Sequence, residues 1–286
     1  MFTGDPHMEA QSHDKRLFDH DMNKAKANGD SIWCLGDMNS LILPKDLKRM
    51  TASHGMTRDA VVNKLVNQTF RRLEPYADNL DVLMMGNHET ALLKYHSTDF
   101  ILSLLALINS VKKRGAFADG LCHHGGYKTF VLVQFKQRGV GIRNQSVSAK
   151  GLLFHGAGGG APVTKGMIDG NRLKVANQFD FCAIGHKHTM IYDTDYYNYV
   201  DDYGNQRRKD RDYFVVGGYD GADVQQDPGA LDEEGDPIGY MLSYSDEAHL
   251  GNQGQGSVRV VFTPHADGSG NWVTRNIMYE RQPFAP

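Results

Sequence analysis

Residues 81–89 read DVLMMGNHE, and this stretch decides the fold. The first five residues form a short apolar run, long enough for a strand buried on both faces and too short for a helix. The run passes directly into Gly86-Asn87-His88-Glu89, which brings an amide, an imidazole and a carboxylate to the strand end. The same arrangement recurs on either side. Residues 31–35 (SIWCL) end at Gly36-Asp37-Met38-Asn39, residues 151–154 (GLLF) at His155-Gly156, and residues 181–184 (FCAI) at Gly185-His186-Lys187-His188; Asp5-Pro6-His7 stands near the start. In open α/β sheets the loops that follow strands gather at one edge, where ligands bind. A single such motif arises by chance, but five in chain order define a site.

The intervening sequence supplies helices first and strands later. Residues 9–28 are predicted as a helix with Leu17, Phe18, Met22 and Ala25 on one side and Gly29 as its stop. Thr57 is placed to cap a second helix carrying Val61, Val62, Leu65, Val66 and Phe70, ended by Glu74-Pro75. Asp99 opens a third, apolar helix that Lys112, Lys113, Arg114 and Gly115 close. Residues 127–135, 213–216, 257–262 and 272–279 read as strands. Residues 192–213 hold six tyrosines among charges and read as a hairpin turning near Tyr203-Gly204. The expectation is one α/β sandwich domain over residues 1–286, with a protruding hairpin and loop insertion at about 190–250 that includes an acidic, Pro/Gly-rich loop at 223–237.

Composition narrows the function classes. The chain has 286 residues, 40% of them apolar and 23% charged, enough for a sizeable core. Lys plus Arg is 31 against 34 Asp plus Glu, a formal charge of −3, which disfavours a protein that coats nucleic acid nonspecifically. The three cysteines (Cys34, Cys122, Cys182) form no CxxC pattern, so a reducing, cytoplasmic location is expected. Residues 1–15 carry two Asp, one Glu and two His, unlike a signal peptide. The most apolar stretch, 100–111, is too short to span a bilayer, and no membrane partner is expected.

The strand-end residues share one chemistry. Carboxylate and imidazole donors suit manganese, iron and zinc, and the absence of thiolates argues against a structural zinc site. Seven candidate ligands, Asp5, His7, Asp37, Asn87, His155, His186 and His188, exceed what one ion takes, so two divalent ions are expected. Two ions about 3.5–4 Å apart suit phosphoryl chemistry.

In this order the motifs DxH, GDxx, GNH(D/E), H and GHxH resemble the signature of the calcineurin-like metallophosphoesterase superfamily over residues 5–188. The resemblance implies a four-layer α/β/β/α sandwich, two mixed sheets flanked by helices. It implies that Asp5, His7, Asp37 and His188 hold one ion, and that Asp37 bridges to a second held with Asn87, His155 and His186. His88 is then the proton donor or phosphate contact at the leaving group, and Glu89 the group that orients it. Manganese is the first expectation for the metal, with iron, zinc or nickel as alternatives. The implied reaction is in-line attack of a metal-bound hydroxide on phosphorus.

This sequence departs from parts of the superfamily. Only Met1–Gly4 precede Asp5, where members usually have a full strand, so either the first strand is very short or the chain is trimmed. Gly36-Asp37-Met38-Asn39-Ser40-Leu41-Ile42 lacks the Asp-Arg-Gly of the Ser/Thr protein phosphatases, and Ser40 stands where purple acid phosphatases need a tyrosine. The leading expectation is a phosphodiesterase acting on a nucleotide or nucleic acid. A phosphomonoesterase for small molecules or proteins is the alternative, and a non-catalytic metal-binding scaffold a third. Oligomeric state is left open.

Other features invite sharp readings that blander ones outweigh. Residues 156–160 (GAGGG) lack the GK[ST] of a phosphate loop and read as a flexible turn positioning His155. His123-His124 read as a solvated pair, and His13, His20, His54, His96, His249 and His265 as ordinary structural histidines. Residues 112–150 carry eight Lys/Arg against Asp119 alone, read first as a solvated face and second as a phosphate-backbone surface. The tyrosines of 192–213 read as hairpin cover, with base stacking as the functional alternative.

Overall fold

The computed structural model describes residues 1–10, 12–41, 58–136, 146–158, 167–219, 255–267 and 270–279. Along the chain run β1 (Phe2–Thr3), α1 (Lys15–Asn28), β2 (Ile32–Cys34), α2 (Arg58–Leu73), β3 (Leu80–Leu83), α3 (Asn87–His96), α4 (Phe100–Val111), β4 (His123–His124) and β5 (Lys128–Lys136). Then come β6 (Ser146–Phe154), α5 (Met167–Ala176), β7 (Phe181–Ile184), β8 (Ile191–Val200), β9 (Gln206–Val215), β10 (Val258–Asp267) and β11 (Gly270–Tyr279).

Two mixed sheets result. The first has the order β11-β10-β1-β2-β3-β4 and the second β5-β6-β7-β9-β8. Within the first, β1 to β4 are parallel and β10 joins β1 antiparallel. Within the second, β6, β7 and β9 are parallel. Period-two alternation then distributes side chains to opposite faces. Cys182, Ile184, Tyr213 and Val215 face α5, while Phe181, Ala183, Phe214 and Val216 face the other sheet. On the first sheet Ile32 and Cys34 pack with the helices, whereas Leu35, Val82 and Met84 enter the space between sheets. Three hydrophobic clusters thus fill three interlayer spaces, and the layers are α/β/β/α. Phe2 pins the middle space, its ring edge-on to Trp33 (5.1 Å), Phe181 (6.0 Å) and Phe214 (5.1 Å).

The described strands beyond residue 190 complete both sheets: β9 lies between β7 and β8, and β10 closes onto β1. A buried polar network ties these parts together. Tyr219 donates to Asp21 Oδ2 (2.9 Å) and accepts from Thr3 Oγ1 (3.0 Å), and Ser257 N donates to the same Asp21 oxygen (2.9 Å).

Several elements differ from the sequence reading, each for a local reason. The first helix starts at Lys15, not residue 9, because Asp14 caps it by accepting from Leu17 N at 2.9 Å. Gly29 does end it, in the left-handed conformation (φ 68°). α4 stops at Lys112, which turns extended before Gly115 is reached. The Lys112 ammonium is drawn inward to the carbonyls of Ala77 (3.0 Å) and Leu80 (2.7 Å) and to Asp81 (3.2 Å). This basic residue is therefore a buried tie, not part of a solvated face. α3 is not among the helices expected from the sequence, because only Glu89 and Leu92 of its ten residues are buried, too few to show a period. α5 is likewise not among the expected helices, because Gly170 interrupts it, yet glycine is required there: a Cβ would lie 2.6 Å from the Tyr213 ring. Thr57 and residues 137–145, 159–166 and 220–254 lie outside the described residues, and with them the expected cap, part of the basic stretch and the acidic loop.

Candidate metal centre

The parallel strands of each sheet bring the motifs to one edge. Asp5 and His7 follow β1, Asp37 follows β2, and Asn87 and His88 open α3 just after β3. From the second sheet, His155 follows β6, and His186 and His188 follow β7. Three overlapping groups form, with ligand atoms within 4.8 Å of one another: Asp5, Asp37, His155 and His186; Asp5, His7 and His188; and His7, Asp37 and His88. Asn87 joins through Oδ1, 3.1 Å from His155 Nε2. The structure thus assembles all seven candidate ligands and His88. His123 instead bonds to Asp119 (3.1 Å), and His124 faces Asp99 at 3.6 Å. His13, His20, His96 and His265 join none of the groups, and His54 and His249 lie outside the described residues.

The backbone is strained where the ligands sit. Asp5 (φ 52°), His7 (43°), Asp37 (50°), His186 (66°) and His188 (46°) all adopt the left-handed region. Such conformations cost non-glycine residues about 1–3 kcal/mol each, and the surroundings must enforce them. Here they do. Asp5 N donates to Gly36 O (3.0 Å), His7 N to Asp37 O (3.2 Å), and His186 N to Asp5 Oδ2 (2.7 Å). Glycines give room for close approach: a Cβ at Gly86 would lie 2.0 Å from Asp37 Oδ1, and one at Gly218 2.8 Å from His188 Nδ1.

Glu89 does not orient His88. Its fully buried carboxylate accepts from the N–H groups of Gly86 (2.8 Å), Asp37 (3.1 Å) and Met38 (2.8 Å), joining the loop after β2 to the start of α3. Burial, then the charge of Asp37, pushes its pKa up to about 8. His88 is placed by its own backbone N–H, which donates to Asp37 Oδ1 (3.0 Å), and by His7, edge-on at 5.2 Å. Its Nε2 lies 4.0 Å from Asp37 Oδ2 on a side chain 29% exposed, at the rim of the cluster.

The donor set fits a cation. Asp5 Oδ1 is buried and has no hydrogen-bond donor among the described residues; His188 Nε2 lies 3.6 Å away. Burial raises the Asp5 pKa, opposed by the charges of His155 and His188. Burial lowers His7 to about 3, and burial and then the charge of His155 lower His186 to about 4, so both rings are neutral near pH 7, the form that ligates metal. Buried carboxylates beside neutral imidazoles are the hard and borderline ligands of a divalent ion.

Two contributors carried signals that the sequence reading left unused. Lys187 lies between two candidate ligands inside GHKH, and its side chain is only 2% exposed. Tyr127 packs edge-on to His155 at 5.3 Å and donates to Gly156 O at 2.6 Å. In the described part of the GAGGG turn the carbonyls of Gly156, Ala157 and Gly158 are all held by side chains.

No curated protein matches the chain closely enough to lend it a narrower activity. The family model described as calcineurin-like phosphoesterase matches residues 1–190, the span that carries every residue of the cluster. The chain belongs to the calcineurin-like phosphoesterase family, and is accordingly a metal-dependent phosphoesterase with an Asp/His cluster at the shared edge of its two sheets.

Proposed function

We propose that the chain is a phosphodiesterase that uses two divalent ions, manganese foremost, to cleave a nucleotide phosphodiester. The observation that carries this reading is the sharing of carboxylates. Asp5 belongs both to the group with His7 and His188 and to the group with Asp37, His155 and His186, so two neighbouring positions have an anion between them. Asp37 is shared in the same way with His7 and His88. When bound, two such ions lower the pKa of a water and neutralise phosphate oxygens. His88, at the rim, is the ring placed to hand a proton to a departing oxygen.

Charge favours the diester. A phosphomonoester is a dianion and gains from a guanidinium, whereas a diester carries a single charge. Among the described residues, the leading charges acting on Asp5, His7, Asp37 and His155 are those of the cluster itself, with no arginine among them. Lys187, the one lysine within the motifs, is turned to backbone carbonyls and Asp169.

The tyrosine hairpin favours a small nucleotide over a polymer. β8 leaves the motif edge at Ile191 and runs away from it, so at about 3.3 Å per residue its tip lies on the order of 30 Å from the cluster. Its cations are matched by carboxylates: Arg207 with Asp201 (2.8 Å), Arg208 with Asp210 (3.3 Å), Lys209 with Asp180 (2.7 Å) and Arg211 with Asp195 (2.5 Å). No basic track for a phosphate backbone is left on it.

The test compares bis-p-nitrophenyl phosphate with p-nitrophenyl phosphate in Mn²⁺. Preference for the diester is expected. Preference for the monoester overturns the diester reading, and silence on both with manganese bound overturns catalysis and favours a scaffold.

A further inference from the structure

The turn that follows His155 is gripped by its carbonyl oxygens. The Tyr127 hydroxyl donates to Gly156 O (2.6 Å), and Lys187 Nζ donates to both Ala157 O (2.6 Å) and Gly158 O (2.8 Å). Gly158 O lies in addition 3.2 Å from His186 Nε2. Lys187 Nζ is 2.9 Å from the Asp169 carboxylate in the first turn of α5, so its three donors face three acceptors. A buried lysine is costly unless paired and fully bonded, and an apolar side chain would fill this space more cheaply. What the lysine adds is position: it fixes a carbonyl against a histidine of the cluster.

That carbonyl constrains His186 chemically. A carbonyl oxygen only accepts, so Nε2 of His186 carries the proton and Nδ1 is left as the ring atom able to ligate a cation. The left-handed conformations of Gly156 (φ 119°) and Gly158 (φ 70°) let the turn present successive carbonyls to this side. We propose that Lys187, anchored by Asp169, is a positioning residue of the metal centre: by holding Gly158 O it sets the tautomer and rotation of His186, and with them the affinity of the half of the centre built from Asp37, Asn87, His155 and His186. The proposal deepens the phosphodiesterase reading and rests on it for the presence of metal.

The test uses the full chain with Lys187→Met and Asp169→Asn, and two readouts. The first is histidine tautomer state by ¹⁵N NMR in metal-free protein. The second is Mn²⁺ binding by equilibrium dialysis, with EPR to distinguish coupled pairs from single ions. In the wild type His186 is expected as the Nε2–H tautomer. In Lys187→Met it becomes mixed, and the ion of the half that contains His186 loses about 10–100-fold in affinity while the other is retained. Asp169→Asn shifts both readouts in the same direction by less. An unchanged tautomer and an unchanged isotherm in folded Lys187→Met overturn the proposal. If that variant fails to fold, the same result in Asp169→Asn overturns it. A folded wild type that takes up no Mn²⁺ overturns the metal reading instead, and the tautomer readout then decides the role of Lys187 alone.

Discussion

His155 Nε2 lies 3.2 Å from Asp37 Oδ2, while Nδ1 of the same ring lies 2.8 Å from Leu35 O. Carbonyls and carboxylates only accept, so both ring nitrogens carry protons in this geometry. Burial by itself lowers the His155 pKa, but the bond to Asp37 and the charges of Asp5 and Asp37 outweigh it and raise it to about 9. Burial would likewise raise Asp37, yet His155, His7 and His88 hold its carboxyl well below the usual range. The Nε2 proton occupies the place of a cation between Asp37 and Asn87.

Metal uptake should therefore release that proton. With a folded pKa above its ordinary 6.5, charged His155 stabilises the metal-free fold fully below about pH 6.5, and that contribution fades as the pH climbs through about 9. An incoming ion must displace the same proton, so Mn²⁺ affinity is expected to rise across that window. Titration calorimetry near pH 7.5, in buffers of different ionisation enthalpy, should find about one proton released from this site per chain. An affinity independent of pH between 6.5 and 9 would contradict the His155–Asp37 assignment.

Glu89 supports a second prediction. Glu89→Ala leaves three buried N–H groups without their acceptor, each costing about 1–3 kcal/mol, so the melting temperature of the metal-free protein should fall by at least several degrees. Two of those groups hold Asp37 in its left-handed conformation, so Mn²⁺ affinity should fall as well. If Glu89 acted only through the His88 ring, turnover would drop with melting and metal binding unchanged. Calorimetric melting and equilibrium dialysis separate the two cases.

The layers and the cluster were legible because both depend on short-range pattern. Residues 181–184 alternate between two packed faces, so an apolar run of four marks a strand wherever it lies, and the polar residue just past its end falls at the sheet edge. Tertiary compensation was not legible. Gly170 within α5 makes sense only once Tyr213, 43 positions later, is seen to fill the space of a Cβ. The role of Glu89 depends on amides 51 and 52 residues away, which no local motif displays. The basic stretch misled for the same reason, since Lys112 is a cation in sequence and a buried tie in space.

His88 is where geometry leaves two roles to separate. Its Nε2 is grouped with His7 and Asp37 closely enough to ligate, yet it lies at the rim, 4.0 Å from Asp37 Oδ2. A ligand and a proton donor respond differently to removal. If His88 donates a proton, His88→Ala keeps its metal content and loses most turnover on esters with poor leaving groups, by about 10²–10⁴-fold. Esters of p-nitrophenol, which depart without protonation, should lose much less. If His88 is a ligand, metal content falls and both ester classes suffer alike. Because the backbone N–H of His88 holds Asp37 Oδ1, truncation to alanine spares that contact, and the first outcome is the expected one. Metal analysis of the purified variant beside paired rate measurements decides it, and retained turnover on a poor leaving group would remove His88 from the proton-transfer role.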